Sequence, residues 1–398
     1  MLEIPLIMNR LLIFFILCLS AFSIKAQHPQ RIVVGAERTT LYLPLLNGKR
    51  VAVLTNQTGR IGNENIVDFL HQKKVNIVTI FSPEHGFRGK ADAGEHVGNS
   101  IDEQTGIPIC SLYGGNAAKS LDSIMNSIDV LVFDLQDVGL RYYTYLTTMV
   151  QVMNACAVHH VKMMVLDRPN PNGFYVDGPI LDMQYKSGVG AVPVPVVHGM
   201  TLGELAQMIN GEKWLVNGMK CDLTVIPCLY YTHAMHYQLP VKPSPNLPNM
   251  RSVYLYPSLC YFEATPVSVG RGTDAPFQQF GSPKMRGYSY SFTPRSMSGA
   301  TNPPCLNQLC YGVDLRTQPS DRTLFKNGLD LSYLIEAYRN LNMGDAFFSS
   351  FFEKLIGVGY VRQMIEAGKS AAEIKAHWKS DDEKFKKERK PYLLYPER

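Results

Sequence analysis

No Gly-x-Gly-x-x-Gly opens a helix after the first strand of this 398-residue chain, so nothing signals a dinucleotide cradle. No Gly-x-Ser-x-Gly elbow occurs, which removes the α/β-hydrolase arrangement of a nucleophilic serine. His-x-His and His-Glu-x-x-His spacings are also missing, and with them the common zinc signatures. Gly270-Arg271-Gly272 has no helix-opening Gly-Lys-Ser/Thr behind it and is not a phosphate loop. Charge is not in excess, at an ordinary 18% Asp, Glu, Lys and Arg with a net +5. So mild a positive excess gives no reason to expect a nucleic-acid surface, which is set aside. Internal repeats and low-complexity tracts are lacking too. The cysteines beyond Cys18 are irregularly spaced and form neither a disulfide framework nor a zinc site. Cys305 and Cys310, close together in one loop, are the pair that an oxidising compartment would join.

One apolar run, Leu11 to Leu19, follows Asn9-Arg10 and precedes the small or polar residues Ser20, Ala21, Ser23 and Ala26. That order is a secretory signal peptide, and the run is too short to span a bilayer comfortably. Cleavage near Ala26 is expected, leaving no stable membrane span and a secreted or periplasmic chain. It removes Arg10, Lys25 and Glu3, so the mature protein stays mildly positive, which suits an anionic extracytoplasmic partner.

The rest of the chain alternates apolar runs with helical periodicity. Arg50–Thr55, Val75–Phe81, Asp129–Leu135 and Val161–Leu166 read as buried strands, and Val192–Val197 as a weaker edge strand because of its prolines. Leu223–Pro227 closes the sheet. Helices are expected at 37–47, 66–73, 121–127, 143–159 and 201–210. The alternation predicts an α/β fold with a doubly wound, mainly parallel sheet over residues 27–236. From about Tyr237 the chain turns rich in Pro and Gly and ends in a charged helical tail, which predicts a smaller α+β domain over 237–398.

Parallel strands place all their carboxyl ends on one side, so polar strand ends should converge. Four of them carry turn formers with ionisable groups: Ser82–Gly89, Gln136–Tyr143, Asp167–Gly173 and His198–Met200. Carboxylates dominate the set, and glycoside hydrolysis uses one carboxylic acid as proton donor and often a second carboxylate. Glu84 is the expected acid, with the apolar Pro83 and Phe87 beside it. Asp137 lies just past its strand with Arg141 and Tyr142, whereas Asp134 reads as a buried structural acid. Glu263 stands near Arg271, a guanidinium suited to a carboxylate or sugar oxygens. His85, Arg88, Glu95, Asn170 and His198 complete the binding set. Several of these are acceptable metal ligands, but their spacing matches no metal motif, and no metal or other cofactor is expected.

Five motifs in this order carry a family resemblance: Ser82-Pro83-Glu84-His85-Gly86-Phe87-Arg88-Gly89, Asp134 to Tyr145, Leu166-Asp167-Arg168-Pro169-Asn170-Pro171, His198 to Glu204, and Ser268-Val269-Gly270-Arg271-Gly272-Thr273. Together they resemble the exo-β-N-acetylmuramidases of the NamZ type, from about Val33 to the carboxyl terminus. The resemblance implies a Rossmann-like domain and a smaller carboxyl-terminal domain, with the active-site cleft between them and no cofactor. It also implies release of N-acetylmuramic acid from the non-reducing end of peptidoglycan fragments, with Glu84 as the catalytic acid. Glu263, Glu95 and Asp137 stay open as the second catalytic group, as does the substrate's own acetamido group. Two other readings remain: a metal-dependent hydrolase of another anionic substrate, and a muropeptide-binding protein without catalysis.

Overall fold

The computed structural model describes residues 30–84, 86–87, 100–112 and 117–398. His85, Arg88, Glu95 and the signal segment 1–26 lie outside the described residues.

Short aliphatic and β-branched runs build the centre. In chain order the strands are β1 (Val51–Thr55), β2 (Arg60–Ile61), β3 (Glu64–Asn65), β4 (Ile77–Ser82), β5 (Ser100–Ile101), β6 (Pro108–Ser111), β7 (Val130–Asp134), β8 (Lys162–Leu166) and β9 (Leu223–Ile226). β1 and β7 are buried along their whole length, as central parallel strands covered on both faces must be. The large sheet runs β5-β6-β4-β1-β7-β8-β9, parallel throughout except for the antiparallel edge strand β5. Leaving β5 aside, the chain steps outward from β1 on one side, then returns and steps outward on the other. This is the strand order of a Rossmann-type doubly wound sheet.

Helices Ile66–Gln72, Ala117–Met125, Thr144–His159 and Leu202–Gly211 connect the strands at the expected places. Val192–Val197 departs from expectation and is not a sheet strand. Pro193 and Pro195 offer no N–H to a ladder, and the stretch makes only single bridges from Val197 to Leu140 and Asp177. β9 holds the sheet edge instead.

Beyond residue 250 the chain forms a three-stranded antiparallel sheet, β10 (Gln279–Ser282), β12 (Cys310–Asp314) and β11 (Tyr290–Phe292) in spatial order, with helices around it. The tail helix Ala371–Glu388 begins with a Ser370/Glu373 capping box and buries Trp378 and Phe385. Asp177 anchors it, accepting the Trp378 indole N–H at 2.9 Å and the Leu329 amide at 3.1 Å. One contiguous apolar core includes Phe81, Phe133, Tyr261, Phe280 and Trp378. Among the described residues every cysteine is a free thiol, Cys305 and Cys310 included.

Candidate active site

Chain order reverses between β1 and β7, and the residues just past these strands form a polar floor. Asn56 Oδ1 accepts the Thr58 amide at 2.9 Å and its hydroxyl at 2.6 Å, while Asn56 Nδ2 donates to the Tyr145 hydroxyl at 2.5 Å. Thr58 Oγ1 accepts the Gln136 amide at 3.1 Å, and Gln136 Nε2 donates to the carbonyls of Asp137 and Pro169, each at 2.8 Å. Strand ends that are distant in sequence are knitted together here, which satisfies groups that would be costly to bury alone.

Tyr142-Tyr143-Thr144-Tyr145 crosses this floor and enters the helix Thr144–His159. Each tyrosine is buried and tethered. The Tyr142 hydroxyl donates to the carbonyls of Tyr256 and Pro257 at 3.1 and 3.0 Å, and the Tyr143 hydroxyl to that of Pro243 at 2.8 Å. Glu84, two residues past β4, is half-buried, and its Oε2 accepts the Thr144 hydroxyl at 2.8 Å.

A cleft with about 750 Å³ of empty volume opens over these groups, lined from the sheet side by Glu84 and residues 142–145. From the carboxyl-terminal side it is lined by Tyr256, Cys260, Glu263, Arg271 and Phe277. Glu263 sits on the short 3₁₀ turn Cys260–Ala264 that follows helix Met250–Leu259. It forms an ion pair with Arg271, whose guanidinium lies 5.3 Å from the centre of the Phe277 ring. Both glycines flanking Arg271 adopt φ +78°, a left-handed conformation that residues with side chains rarely take. The cleft therefore combines a carboxyl group, a carboxylate–guanidinium pair and aromatic walls. A few convergent polar groups in an otherwise apolar concavity suit a polyhydroxylated substrate with an anionic substituent.

Of the sequence-derived candidates, Glu84, Tyr142, Glu263 and Arg271 line this cleft. Asp137, Arg141, Asn170 and His198 are not among its described lining residues, and each has another physical task. Arg141 is fully buried, with Nη1 donating to the carbonyls of Pro179 and Val194 and Nη2 to those of Leu355 and Ile356. Asn170 spans two loops, donating to the Met200 carbonyl and accepting the Asn172 amide, both at 2.8 Å. His198 is wholly buried, and its Nδ1 accepts the Met200 amide at 3.2 Å. Burial, with the positive charges of Arg389 and Arg141 nearby, pushes its pKa down to about 3, so it is neutral. Asp137 accepts the Gly139 amide at 2.6 Å on one oxygen, and its Oδ1 has no partner among the described residues. Burial raises its pKa to about 7.

Sequence reasoning passed over Thr144, Tyr256 and Phe277. Thr144 stands inside the Asp134–Tyr145 motif, but a threonine at a helix start reads as local structure. Tyr256 and Phe277 belong to elements whose approach to the sheet no periodicity reports.

Residues 51–251 match the family described as Exo-beta-N-acetylmuramidase NamZ, N-terminal, and residues 254–395 match its C-terminal counterpart. The peptidoglycan beta-N-acetylmuramidase NamZ of Bacillus subtilis (strain 168) is 38% identical over 375 residues, spanning 89% of each protein. Two DUF1343 family proteins of Bacteroides fragilis NCTC 9343 with crystal structures share the fold. One is 58% identical with a TM-score of 0.85, and the other 28% identical with a TM-score of 0.77. Both alignments cover 92% of this chain and 99% of the other. Glu84 and Thr144 fall in the first matched stretch, Glu263 and Arg271 in the second, and the chain belongs to the NamZ family of exo-β-N-acetylmuramidases.

Proposed function

We propose that the protein is a secreted glycosidase that releases N-acetylmuramic acid from the non-reducing end of peptidoglycan fragments, serving cell-wall turnover and recycling. The observation that carries this reading is the presence of Glu84 and the Glu263–Arg271 pair in the lining of one cleft. Glu84 protonates the glycosidic oxygen as the bond to the anomeric carbon breaks, and water completes the hydrolysis. Glu263 supplies the second carboxylate that this chemistry uses. Arg271 receives the lactyl carboxylate, the group that distinguishes muramic acid from glucosamine, through N–H groups not turned to Glu263. The leader at 1–26 directs the chain to where muropeptides are found, and the mature protein begins close to residue 27.

The test is turnover of a muramic acid β-glycoside with detection of free N-acetylmuramic acid. Glu84→Gln should lower kcat by about 10²- to 10⁴-fold, the usual contribution of a positioned general acid. Wild-type turnover in that variant, or no muramic acid from the native enzyme, would overturn the reading.

A further inference from the structure

We propose that Thr144 is a positioning residue for Glu84, holding its carboxyl in one orientation through both protonation states of the catalytic cycle. This rests on the reading of Glu84 as the acid. The two residues are 60 apart in sequence, and Thr144 Oγ1 lies 2.8 Å from Glu84 Oε2 in the cleft lining. A hydroxyl is both donor and acceptor: it donates to the ionised carboxylate and accepts from the protonated acid. A lysine or a backbone amide can only donate, so it cannot accept the O–H of an acid protonated on the oxygen that faces it. A group that surrenders a proton and regains it at every turnover can therefore keep the same contact in both states beside a partner of this kind.

Thr144 is itself fixed from both sides. Its neighbours Tyr143 and Tyr145 are buried, their rings packed edge to face with centroids 4.7 Å apart. The Tyr143 hydroxyl is tied to the Pro243 carbonyl at 2.8 Å, and that of Tyr145 to Asn56 at 2.5 Å. Tyr143 occupies the cap position of the helix, so the Thr144 side chain is not its capping group. The Thr144 carbonyl accepts the Thr148 hydroxyl at 3.2 Å one turn on, and a β-branched χ1 leaves few rotamers.

Thr144→Val keeps the shape and deletes the hydroxyl, whereas Thr144→Ser keeps the hydroxyl and deletes the methyl. With a muramic acid glycoside, Thr144→Val should lose about ten- to a hundredfold in kcat with KM within about twofold, as for loss of a hydrogen bond to a charged group. Thr144→Ser should recover most of that loss. Wild-type kcat in Thr144→Val, a KM effect alone, or a serine variant as impaired as the valine would overturn the proposal. Glu84→Gln measured in parallel separates the two readings. If it is inactive while Thr144→Val is normal, only the positioning role falls; if it is active, the assignment of the acid falls and the positioning role with it.

Discussion

Arg168 grips both carboxylate oxygens of Asp134, with Nε 2.5 Å from Oδ1 and Nη2 2.9 Å from Oδ2, at the carboxyl end of β7. Neither side chain is more than 4% exposed. Such a pair gains its attraction only after both ions have left water, so its net contribution is small, but losing one partner strands the other. Arg168→Met should therefore cost about 3–5 kcal/mol in urea unfolding, and adding Asp134→Leu should restore a large part of it. Additive losses in the double variant would show that the two side chains are not coupled.

Asp137 should give stability a slope with pH. Its carboxyl stays protonated in the folded protein up to about pH 7, whereas in the unfolded chain it ionises near pH 4. Folding thus takes up a proton between these values. The stability tied to this group is complete below about pH 4 and is lost as pH rises through 7. Asp137→Asn can still accept the Gly139 amide and cannot ionise. Its stability relative to the wild type should improve from pH 4 to pH 8 by on the order of 2–4 kcal/mol, measured by denaturant melts across that range. Parallel curves for the two proteins would contradict the buried, neutral acid.

Arg271 should set preference for the lactyl carboxylate. Arg271→Ala also frees Glu263 from its ion pair, which affects any substrate alike, so the informative quantity is a ratio. We expect kcat/KM for a muramic acid glycoside to fall about ten- to a hundredfold further than for the matching N-acetylglucosamine glycoside, which lacks the acid. An unchanged ratio would assign recognition of the carboxylate to another group.

Much of the sheet could be read from the chain because parallel strands buried on both faces are continuous apolar runs, and β1, β7 and β8 begin one residue after the expected starts at Arg50, Asp129 and Val161. The carboxyl-terminal strands β10–β12 are three to five residues long and rich in Gly, Ser and Tyr, with no period to detect. The site was half legible. Glu84, Glu263 and Arg271 are charged residues among turn formers, and they do line one cleft. Arg141, Asn170 and His198 carry the same local signature for a different reason: loops crossing the end of a doubly wound sheet leave buried amides and carbonyls, and polar side chains satisfy them. Sequence alone does not separate a polar residue that meets a ligand from one that meets its own backbone.

The four carbonyls held by Arg141 have a consequence for inheritance. Two of them, Pro179 and Val194, belong to the first family-matched stretch, and two, Leu355 and Ile356, to the second. A guanidinium enclosed on both sides by these stretches makes each the other's solvent. Expressed without the second, the first would open Arg141 Nη2 to water. Recombination that exchanged one stretch between distant relatives would have to deliver a helix ending in the same two carbonyls. An exchange of one stretch alone is thus expected to loosen the packing around Arg141.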